Sequence, residues 1–340
     1  MRVLALMSGG VDSSVAAARL VEAGHEVVGV TLRLWGGETG SGCCGVGDVE
    51  DARRVAAQLG VPHYVFNLTD DFTASVVDPF VAGYDAARTP NPCVECNRAI
   101  KFGRALDRAV ALGFDAVASG HHARVERDRH GSYRLRRGAD GAKDQSYVLY
   151  MLGQRELARL LLPVGDLTKR AVRARAAELG LRTAAKPESM DVCFVTRRDR
   201  VRFVSARAAP RPGPIVDRDG TVVGRHDGVS RFTIGQRRGL GVAAGEPRYV
   251  VGLDAAAATV TVGSRDDLLR HEIPVRDLSF VRHAPGSAPV LVQTRAHAEP
   301  VRGRLVGRLV RLDAPTPRVA PGQVVALYDG DELVGGGLAA

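Results

Sequence analysis

The chain has 340 residues, enough for two or three domains. Apolar residues make up 45% and charged residues 25% of the sequence, which excludes a mainly disordered protein, and no apolar run is long enough to cross a membrane. The formal charge of +9 favours a polyanionic partner such as a nucleic acid. Because only four of the 47 basic residues are lysine, biased codon usage is a competing explanation of that charge.

The targeting and redox features of the sequence predict a cytoplasmic protein. The apolar N-terminus is interrupted by Ser8, Gly9 and Gly10, which is too early for a signal peptide. Five cysteines are too few for a disulfide scaffold. In a reducing compartment such cysteines are buried apolar residues, metal ligands or reactive thiols.

In chain order, short apolar runs alternate with helical patterns over about the first 200 residues. The predicted strands are 3–7, 26–34, 63–67 and 116–119. The predicted helices are 13–23, 48–60, 97–113 and 168–180, with Asp48 as a candidate N-cap. This alternation predicts an α/β fold with a doubly wound parallel sheet, whose ligands bind beyond the carboxyl ends of the strands.

The pattern changes after about residue 205. A stretch rich in proline and glycine at 210–214 is followed by short β-branched runs separated by turn residues. We therefore expect an N-terminal α/β domain over 1–204, a small β-rich domain over 205–269 and a C-terminal β domain over 270–340. The sequence has no convincing internal repeat.

Residues 8–13, Ser-Gly-Gly-Val-Asp-Ser, follow the first predicted strand and open the first helix. Glycines there let the backbone approach a ligand, and a helix N-terminus favours an anion, so the segment predicts a pyrophosphate cradle. Asp12 would repel phosphate unless a cation lies between them, which indicates Mg²⁺. The Walker A pattern is absent, which argues against a standard P-loop kinase or GTPase. The competing interpretation is a glycine-rich turn without a ligand.

A second motif is Thr-Pro-Asn-Pro-Cys-Val-Glu-Cys-Asn over 89–97. The prolines predict an extended approach to a helix, which places Cys96 near the helix N-terminus, where the helix dipole favours the thiolate. A thiolate there is a good nucleophile. The alternatives are a zinc or iron–sulfur ligand pair, Cys93 and Cys96, or inert structural cysteines. Cys193 follows a polar run that predicts an accessible loop, whereas Cys43 and Cys44 have no assigned role.

Three segments together resemble the tRNA-specific 2-thiouridylases, ATP pyrophosphatases of the PP-loop type that make 2-thiouridine at the wobble position of tRNA. The segments are SGGVDS at 8–13, TPNPCVECNRAIKF at 89–102 and ESMDVCFV at 188–195. Further matches follow in the same order as in the family, namely SGHHAR at 119–124, KDQSYVLY at 143–150, TIGQRRGLG at 233–241 and PGQ at 321–323. The resemblance extends over the whole chain, and we expect its last domain to be a β-barrel.

The resemblance implies roles for individual residues. Cys193 carries a persulfide, and Cys96 is the thiol that attacks it and ends in a disulfide with it. The residues implied to hold ATP are Leu6, Met7, Ser8, Gly9, Gly10, Val11, Asp12 and Ser13 at the phosphates and Leu32 and Gly120 at the adenosine. The residues implied to border the flipped uridine are Asn91, Pro92 and Cys93. The residues implied to contact tRNA elsewhere are His121, Lys143, Asp144, Gln145, Arg295 and Gln323.

Cys93 is a departure from part of the family. Some members have an aspartate at this position, proposed as a general acid or base, where this chain has a thiol. Together with Cys96 and Cys193, Cys93 could instead bind a [4Fe-4S] cluster with one open iron. The sequence does not separate this hypothesis from the persulfide mechanism.

The resemblance implies an ATP- and Mg²⁺-dependent tRNA-uridine 2-sulfurtransferase that works through an adenylated uridine. The implied partners are the tRNAs for Lys, Glu and Gln and a cysteine desulfurase or sulfur-relay protein. One alternative is an amide-forming PP-loop synthetase, which leaves both reactive cysteines unexplained. The other is a non-catalytic, metal-stapled RNA-binding module, which leaves the phosphate-loop motif unexplained.

Overall fold

The computed structural model describes residues 1–36, 46–187, 192–196, 199–208, 210–242, 245–296 and 298–340. Cys43, Cys44, the first half of the 188–195 motif, and Arg197 and Arg198 lie outside the described residues. Within the described ranges, no helix is long and apolar enough to span a membrane.

The N-terminal sheet is parallel throughout. Its strands are β1 (Arg2–Leu6), β2 (Glu26–Arg33), β3 (His63–Asn67), β4 (Ala116–Ala118) and, after the hairpin β5 (Ala123–Arg127) and β6 (Tyr133–Arg137), β7 (Leu160–Leu161). The strand order is β3-β2-β1-β4-β7, so the direction in which strands are added reverses between β1 and β4. The predicted doubly wound parallel sheet is confirmed.

Helices cover both faces of this sheet. They are α1 (Val11–Glu22), α2 (Val46–Gln58), α3 (Thr69–Phe72), α4 (Asp78–Asp85), α5 (Pro92–Glu95), α6 (Ala105–Ala111), α7 (Gln154–Leu157), α8 (Lys169–Glu178) and α9 (Arg200–Ser205). A π-helical turn, Thr73–Val77, joins α3 to α4, and a second, Cys96–Arg104, joins α5 to α6. Short 3₁₀ turns lie at Ser146–Leu149, Arg182–Ala185, Val229–Arg231 and Asp266–Leu268.

The alternation of side chains along β1 divides the core into two layers. Val3 and Ala5 pack with α1, α2 and α8 on one face, whereas Leu4 and Leu6 pack with α4, α6 and the π-helical turns on the other. α2 begins at Val46, before the predicted N-cap Asp48. Asp48 therefore lies in the first turn, where its carboxylate interacts favourably with the helix dipole and forms an ion pair with Lys186.

The central unit is a four-stranded sheet with the order β10-β11-β8-β9. Its strands are β8 (Gly213–Val216), β9 (Val222–His226), β10 (Tyr249–Asp254) and β11 (Thr259–Gly263). Two of the short β-branched runs that follow residue 214, at 249–253 and 259–262, form its antiparallel β10–β11 pair. The unit has its own apolar core around Ile215, Val250 and Val260.

The last unit is a closed six-stranded β-barrel, as expected. Its strands are β12 (Leu269–Phe280), β13 (Pro289–Gln293), β14 (Val301–Val306), β15 (Leu309–Pro317), β16 (Val324–Asp329) and β17 (Glu332–Ala339). The barrel closes because the long strand β12 pairs with β15 at one end and with β17 at the other. The hairpin β5–β6 adds to β17, so the sheet of the barrel continues into the N-terminal half of the chain.

Hydrogen bonds hold the barrel against the N-terminal half. Tyr147 Oη donates to the carbonyl oxygens of Thr294 and Val324, at 3.2 and 3.3 Å. Gln323 Nε2 donates to the carbonyl oxygen of Thr89 at 2.6 Å, and Thr89 N donates to Pro321 O at 2.7 Å. The barrel therefore lies directly beside the 89–97 motif.

Candidate active site

A cavity of about 400 Å³ opens at the carboxyl ends of β1, β2 and β4. Open parallel sheets bind ligands at this edge, where the order of strand addition reverses. Most of the residues assigned from the sequence line it, namely Leu6, Met7, Ser8, Gly10, Val11, Asp12, Ser13, Leu32, Pro92, Cys93, Cys96, Gly120, His121, Lys143, Gln145 and Cys193. Segments far apart in the sequence thus meet at one place.

The loop between β1 and α1 is held in shape by its own serines. Ser8 N donates to Ser13 Oγ at 3.2 Å, and Ser13 Oγ donates to Gly10 O at 3.0 Å. Gly9 has a φ of +73°, and a Cβ there would lie 2.3 Å from the carbonyl oxygen of Asp48. Glycine is required at this position for both conformation and space. The loop has the form of an anion cradle at a helix N-terminus.

Gly120 brings the end of β4 against the start of α1. A Cβ on Gly120 would lie 2.6 Å from Ser13 N and 2.7 Å from the carbonyl carbon of Asp12. No side chain fits there without moving the backbone of the phosphate loop. Gly120 therefore sets the distance between the two strand ends that form the floor of the cavity.

Asp12 has two cationic or hydrogen-bonding partners that the sequence did not reveal. Lys169 Nζ donates to its two carboxylate oxygens at 2.6 and 2.8 Å, and His122 Nε2 lies 3.0 Å from Oδ1. Burial raises the pKa of Asp12, but the hydrogen bonds from His122 and Lys169 and their charge outweigh burial, so the pKa lies below its usual value. The carboxylate is ionised and faces the cavity.

Lys186 brings a second ammonium to the phosphate loop. Its Nζ donates to Gly9 O at 3.0 Å and to carboxylate oxygens of Asp48 and Asp51, each at 2.7 Å. Burial lowers the pKa of Lys186, but the hydrogen bonds to the two aspartates outweigh it and the pKa is raised. Lys186 directly precedes the segment that carries Cys193, so it joins that segment to the phosphate loop.

All four lysines of the chain, Lys101, Lys143, Lys169 and Lys186, line this one cavity. Of these four, the sequence assigned a role only to Lys143 and did not reveal Lys169 or Lys186. A usable signal was present, because a lysine that persists in a chain where nearly every other basic residue is arginine marks a position that needs a compact ammonium.

The three described cysteines line the cavity to different depths. Cys93 is exposed, Cys193 is half-buried and Cys96 is buried. Asn91 caps α5 by accepting a hydrogen bond from Cys93 N at 3.1 Å, which fixes the start of the helix. Cys96 lies at the end of that first turn, as the sequence predicts. Among the described residues, no three His, Cys, Asp or Glu side chains are arranged to hold a metal ion.

Phe194 anchors the Cys193 segment in an aromatic cluster. Its ring is fully buried and lies 5.3 Å from Phe80, 5.6 Å from Phe72 and 6.0 Å from Trp35, centroid to centroid. Aromatic pairs at these distances stabilise beyond the area that they bury. The anchor keeps the neighbouring Cys193 at the cavity wall.

The residues 143–145 support the cavity in different ways. Lys143 lines it, whereas Gln145 Oε1 also accepts a hydrogen bond from His122 N at 2.9 Å. Asp144 is buried away from the cavity, where it accepts hydrogen bonds from Gly138 N and Ser146 and pairs with Arg137. Asp144 therefore stabilises the turn over residues 138–146.

The remaining assigned residues lie outside the cavity wall. Asn91 and Gly9 are adjacent to it through the contacts above. Gln323 holds the barrel against Thr89, and Arg295 is exposed just after β13. No contact of the described structure brings Arg295 to the cavity.

Comparison with known proteins gives matches over nearly the whole chain. Residues 1–197 match a family described as tRNA methyl transferase HUP domain, 201–264 its PRC-barrel domain and 270–339 an aminomethyltransferase β-barrel domain. A tRNA-specific 2-thiouridylase MnmA of Chloroflexus aggregans is 50% identical over 98% of this chain and 97% of its own length. Proteins of the same description from Roseiflexus sp. (48%, covering 99% and 98%) and Mycolicibacterium paratuberculosis (50%, covering 98% and 98%) are similar to this chain.

Proposed function

Because the chain belongs to the tRNA-specific 2-thiouridylase family, we propose that it catalyses ATP-dependent transfer of sulfur to C2 of the wobble uridine of tRNA. The observation that carries the proposal is the shared cavity. A phosphate loop and two cysteines far apart in the sequence, Cys96 and Cys193, line the same space of about 400 Å³. Small-molecule ligand sites in proteins are typically clefts of about 300–1,000 Å³.

The phosphate loop would hold ATP with its backbone N–H groups and the hydroxyls of Ser8 and Ser13. Leu32 and Gly120, at the ends of β2 and β4, would border the adenosine. Asp12, whose ionised carboxylate is held by Lys169 and His122, is the cavity-facing acid that would lie nearest to Mg²⁺ entering with ATP, and the ion would neutralise charge on the phosphates. Lys169 and Lys186 supply fixed positive charge next to the loop.

The reaction then has two stages. Uridine O2 attacks the α-phosphorus, the bond to the pyrophosphate breaks, and C2 carries AMP as a leaving group. The terminal sulfur of a persulfide on Cys193 replaces AMP, and Cys96 attacks the inner sulfur to form a disulfide with Cys193. Attack by Cys96 before or after the C–S bond forms gives the same products, and both orders need both cysteines.

A [4Fe-4S] cluster on Cys93, Cys96 and Cys193 is the alternative chemistry. The three cysteines share the cavity, but their described positions do not form a metal-binding group. Iron and acid-labile sulfide measured on anaerobically purified protein test this alternative directly. A stoichiometric cluster required for activity would replace the persulfide route.

The proposed partners are the tRNAs for Lys, Glu and Gln and a cysteine desulfurase or sulfur-relay protein that delivers the persulfide. The positive charge of the chain supports a polyanionic substrate. An amide-forming synthetase would not explain why Cys96 and Cys193 line the cavity. A non-catalytic RNA-binding module would not explain the phosphate loop.

The test is tRNA-dependent cleavage of ATP. With ATP, Mg²⁺ and a persulfide donor, tRNA with uridine at the wobble position should yield AMP, pyrophosphate and 2-thiouridine in equal amounts. The same tRNA with cytidine at that position is the matched control and should yield none of them. Pyrophosphate release that ignores the wobble base, or thiolation without ATP, would contradict the proposal.

A further inference from the structure

The proposed reaction releases one proton that none of the groups assigned so far accepts. Uridine carries a hydrogen on N3, and O2 is a weak nucleophile while that hydrogen is present. When the O2–P bond forms and pyrophosphate leaves with the electron pair of the broken bond, the N3 proton must leave to give a neutral adenylated base. A positioned general base accelerates such a step by about 10²–10⁴-fold.

Most titratable side chains of the cavity are already engaged. Asp12 is bound by Lys169 and His122, and its pKa is lowered, so it is a poor proton acceptor. Asp48 is bound by Lys186. Both carboxylates therefore form ion pairs with lysines beside the phosphate loop.

His121 is different. Its side chain is buried, with 8% of the residue exposed, yet it lines the cavity between the end of β4 and the 89–97 motif. Nδ1 lies 2.8 Å from Ser119 Oγ, and the ring packs against Phe102 with centroids 5.7 Å apart. Among the described residues, the hydrogen bond of the ring is at Nδ1, so the ring is held on that side while the residue lines the cavity.

We propose that His121 is the general base that removes the N3 proton of the target uridine. The proposal rests on the function proposed above. With Nδ1–H donated to Ser119 Oγ, Nε2 presents its lone pair to the cavity. It accepts the N3 proton as O2 bonds to phosphorus, and the imidazolium returns that proton to N3 once Cys96 has released the 2-thiouracil anion, so His121 is regenerated.

The electrostatics around the ring support a neutral imidazole. Burial and the positive charges of Lys101 and His122 lower the pKa of His121 well below its usual value, and the opposing effect of Asp12 is smaller. The imidazole is therefore unprotonated at neutral pH. As the pH falls through that lowered pKa, the base becomes protonated and the rate of the first stage should fall.

The experiment measures pyrophosphate release in a single turnover, with ATP, Mg²⁺ and saturating tRNA but without a sulfur donor. At saturating tRNA and ATP, His121→Gln should lower the rate constant about 10²–10⁴-fold, a loss that weaker tRNA binding alone would not produce. The acid limb of the pH profile should disappear, and added imidazole should restore part of the rate of His121→Ala. His130→Gln, the same change at an exposed histidine of the β5–β6 turn, is the matched control.

Circular dichroism and ATP-analogue binding establish that each variant is folded. A folded His121→Gln with the wild-type rate and weaker tRNA binding would make His121 a tRNA contact only and would overturn the inference. The inference would also be overturned if the rate of His121→Gln still fell at low pH and added imidazole did not restore the rate of His121→Ala. No pyrophosphate release from the wild-type protein would instead contradict the proposed function itself.

Discussion

Lys169 and Lys186 bring positive charge to the phosphate loop from distant parts of the chain. Lys169, in the first turn of α8, binds the carboxylate of Asp12, and Lys186 binds Gly9 O together with Asp48 and Asp51. An ammonium is a compact charge with three donors, whereas the planar guanidinium of arginine needs more room and a fixed direction. The phosphate loop contains no lysine of its own, and the fold places two lysines beside it.

Lys169→Met should weaken ATP binding about tenfold, because it removes one charge-assisted interaction and leaves the Asp12 carboxylate facing the phosphates. The ATP affinity of Lys169→Arg should lie between those of Lys169→Met and the wild type. Isothermal titration with a non-hydrolysable ATP analogue measures the dissociation constant. Arg155→Met, at an exposed arginine of α7, is the control, and equal affinities for all four proteins would contradict the role of Lys169.

His121 also makes stability depend on pH. Its pKa in the folded protein is lowered by burial, so below the usual histidine value the unfolded chain binds more protons than the folded one. The stability from this group is fully present above about pH 6.5 and is lost as the pH falls through the folded pKa. We expect the difference in melting temperature between pH 7.5 and pH 5.5 to shrink in His121→Gln. An unchanged difference would contradict a buried, neutral His121.

At the scale of elements, the contact between the end of β4 and the start of α1 determines the geometry of the cavity floor. Gly120→Ala should abolish ATP binding, because the added methyl carbon would meet the backbone at Ser13 and force the phosphate loop to move. Overpacking of this kind costs about 1–3 kcal/mol of stability. Calorimetry and thermal unfolding measure the two effects.

Gly245→Ala is the matched control, since a Cβ on Gly245 meets nothing within 4 Å and its φ lies outside the left-handed range that disfavours side chains. It should leave ATP binding and melting temperature unchanged. Wild-type ATP affinity in Gly120→Ala would show that the loop tolerates the displacement.

Strands β1 to β4 and helices α1, α2, α6 and α8 could be predicted from the sequence because their apolar periodicity is local, whereas α3, α4 and β7 were not predicted. The hairpin β5–β6 could not, since Arg and Glu side chains dominate both of its strands and Leu135 is its only fully buried large side chain among the described residues. Its pairing depends on β17, at the other end of the chain. Likewise, the phosphate loop is a local motif, whereas its contacts with Lys169 and Lys186 exist only after folding.

At the scale of the whole molecule, the barrel adds a basic surface. Arg302 and Arg304 point outward from β14, Arg308 lies in the turn that follows, and Arg311 is exposed on β15 beside Glu272. Another arginine-rich stretch, over 200–207, differs from the barrel surface because Arg200 and Arg207 pack on the rings of Tyr84 and Phe203. The barrel surface is therefore the better candidate for phosphate contacts.

Changing Arg302, Arg304 and Arg308 together to Ser should weaken tRNA binding and reduce the slope of log K against log salt by about one for each phosphate that is no longer neutralised. ATP affinity should not change, because these residues lie outside the cavity. Fluorescence anisotropy with labelled tRNA at several salt concentrations gives the slope. A slope equal to that of the wild type would place the tRNA elsewhere.

In the proposed mechanism, Cys96 and Cys193 act on the base that the phosphate loop has helped to activate. The most direct measurement is anaerobic thiolation of tRNA with ATP, Mg²⁺ and a persulfide donor, which compares the wild type with Cys96→Ser, Cys193→Ser and Cys93→Ser and quantifies 2-thiouridine and pyrophosphate. We predict that Cys96→Ser and Cys193→Ser form no 2-thiouridine, whereas Cys93→Ser retains it. Full activity of Cys96→Ser, or loss of product in all three variants with a requirement for iron and sulfide, would contradict the account.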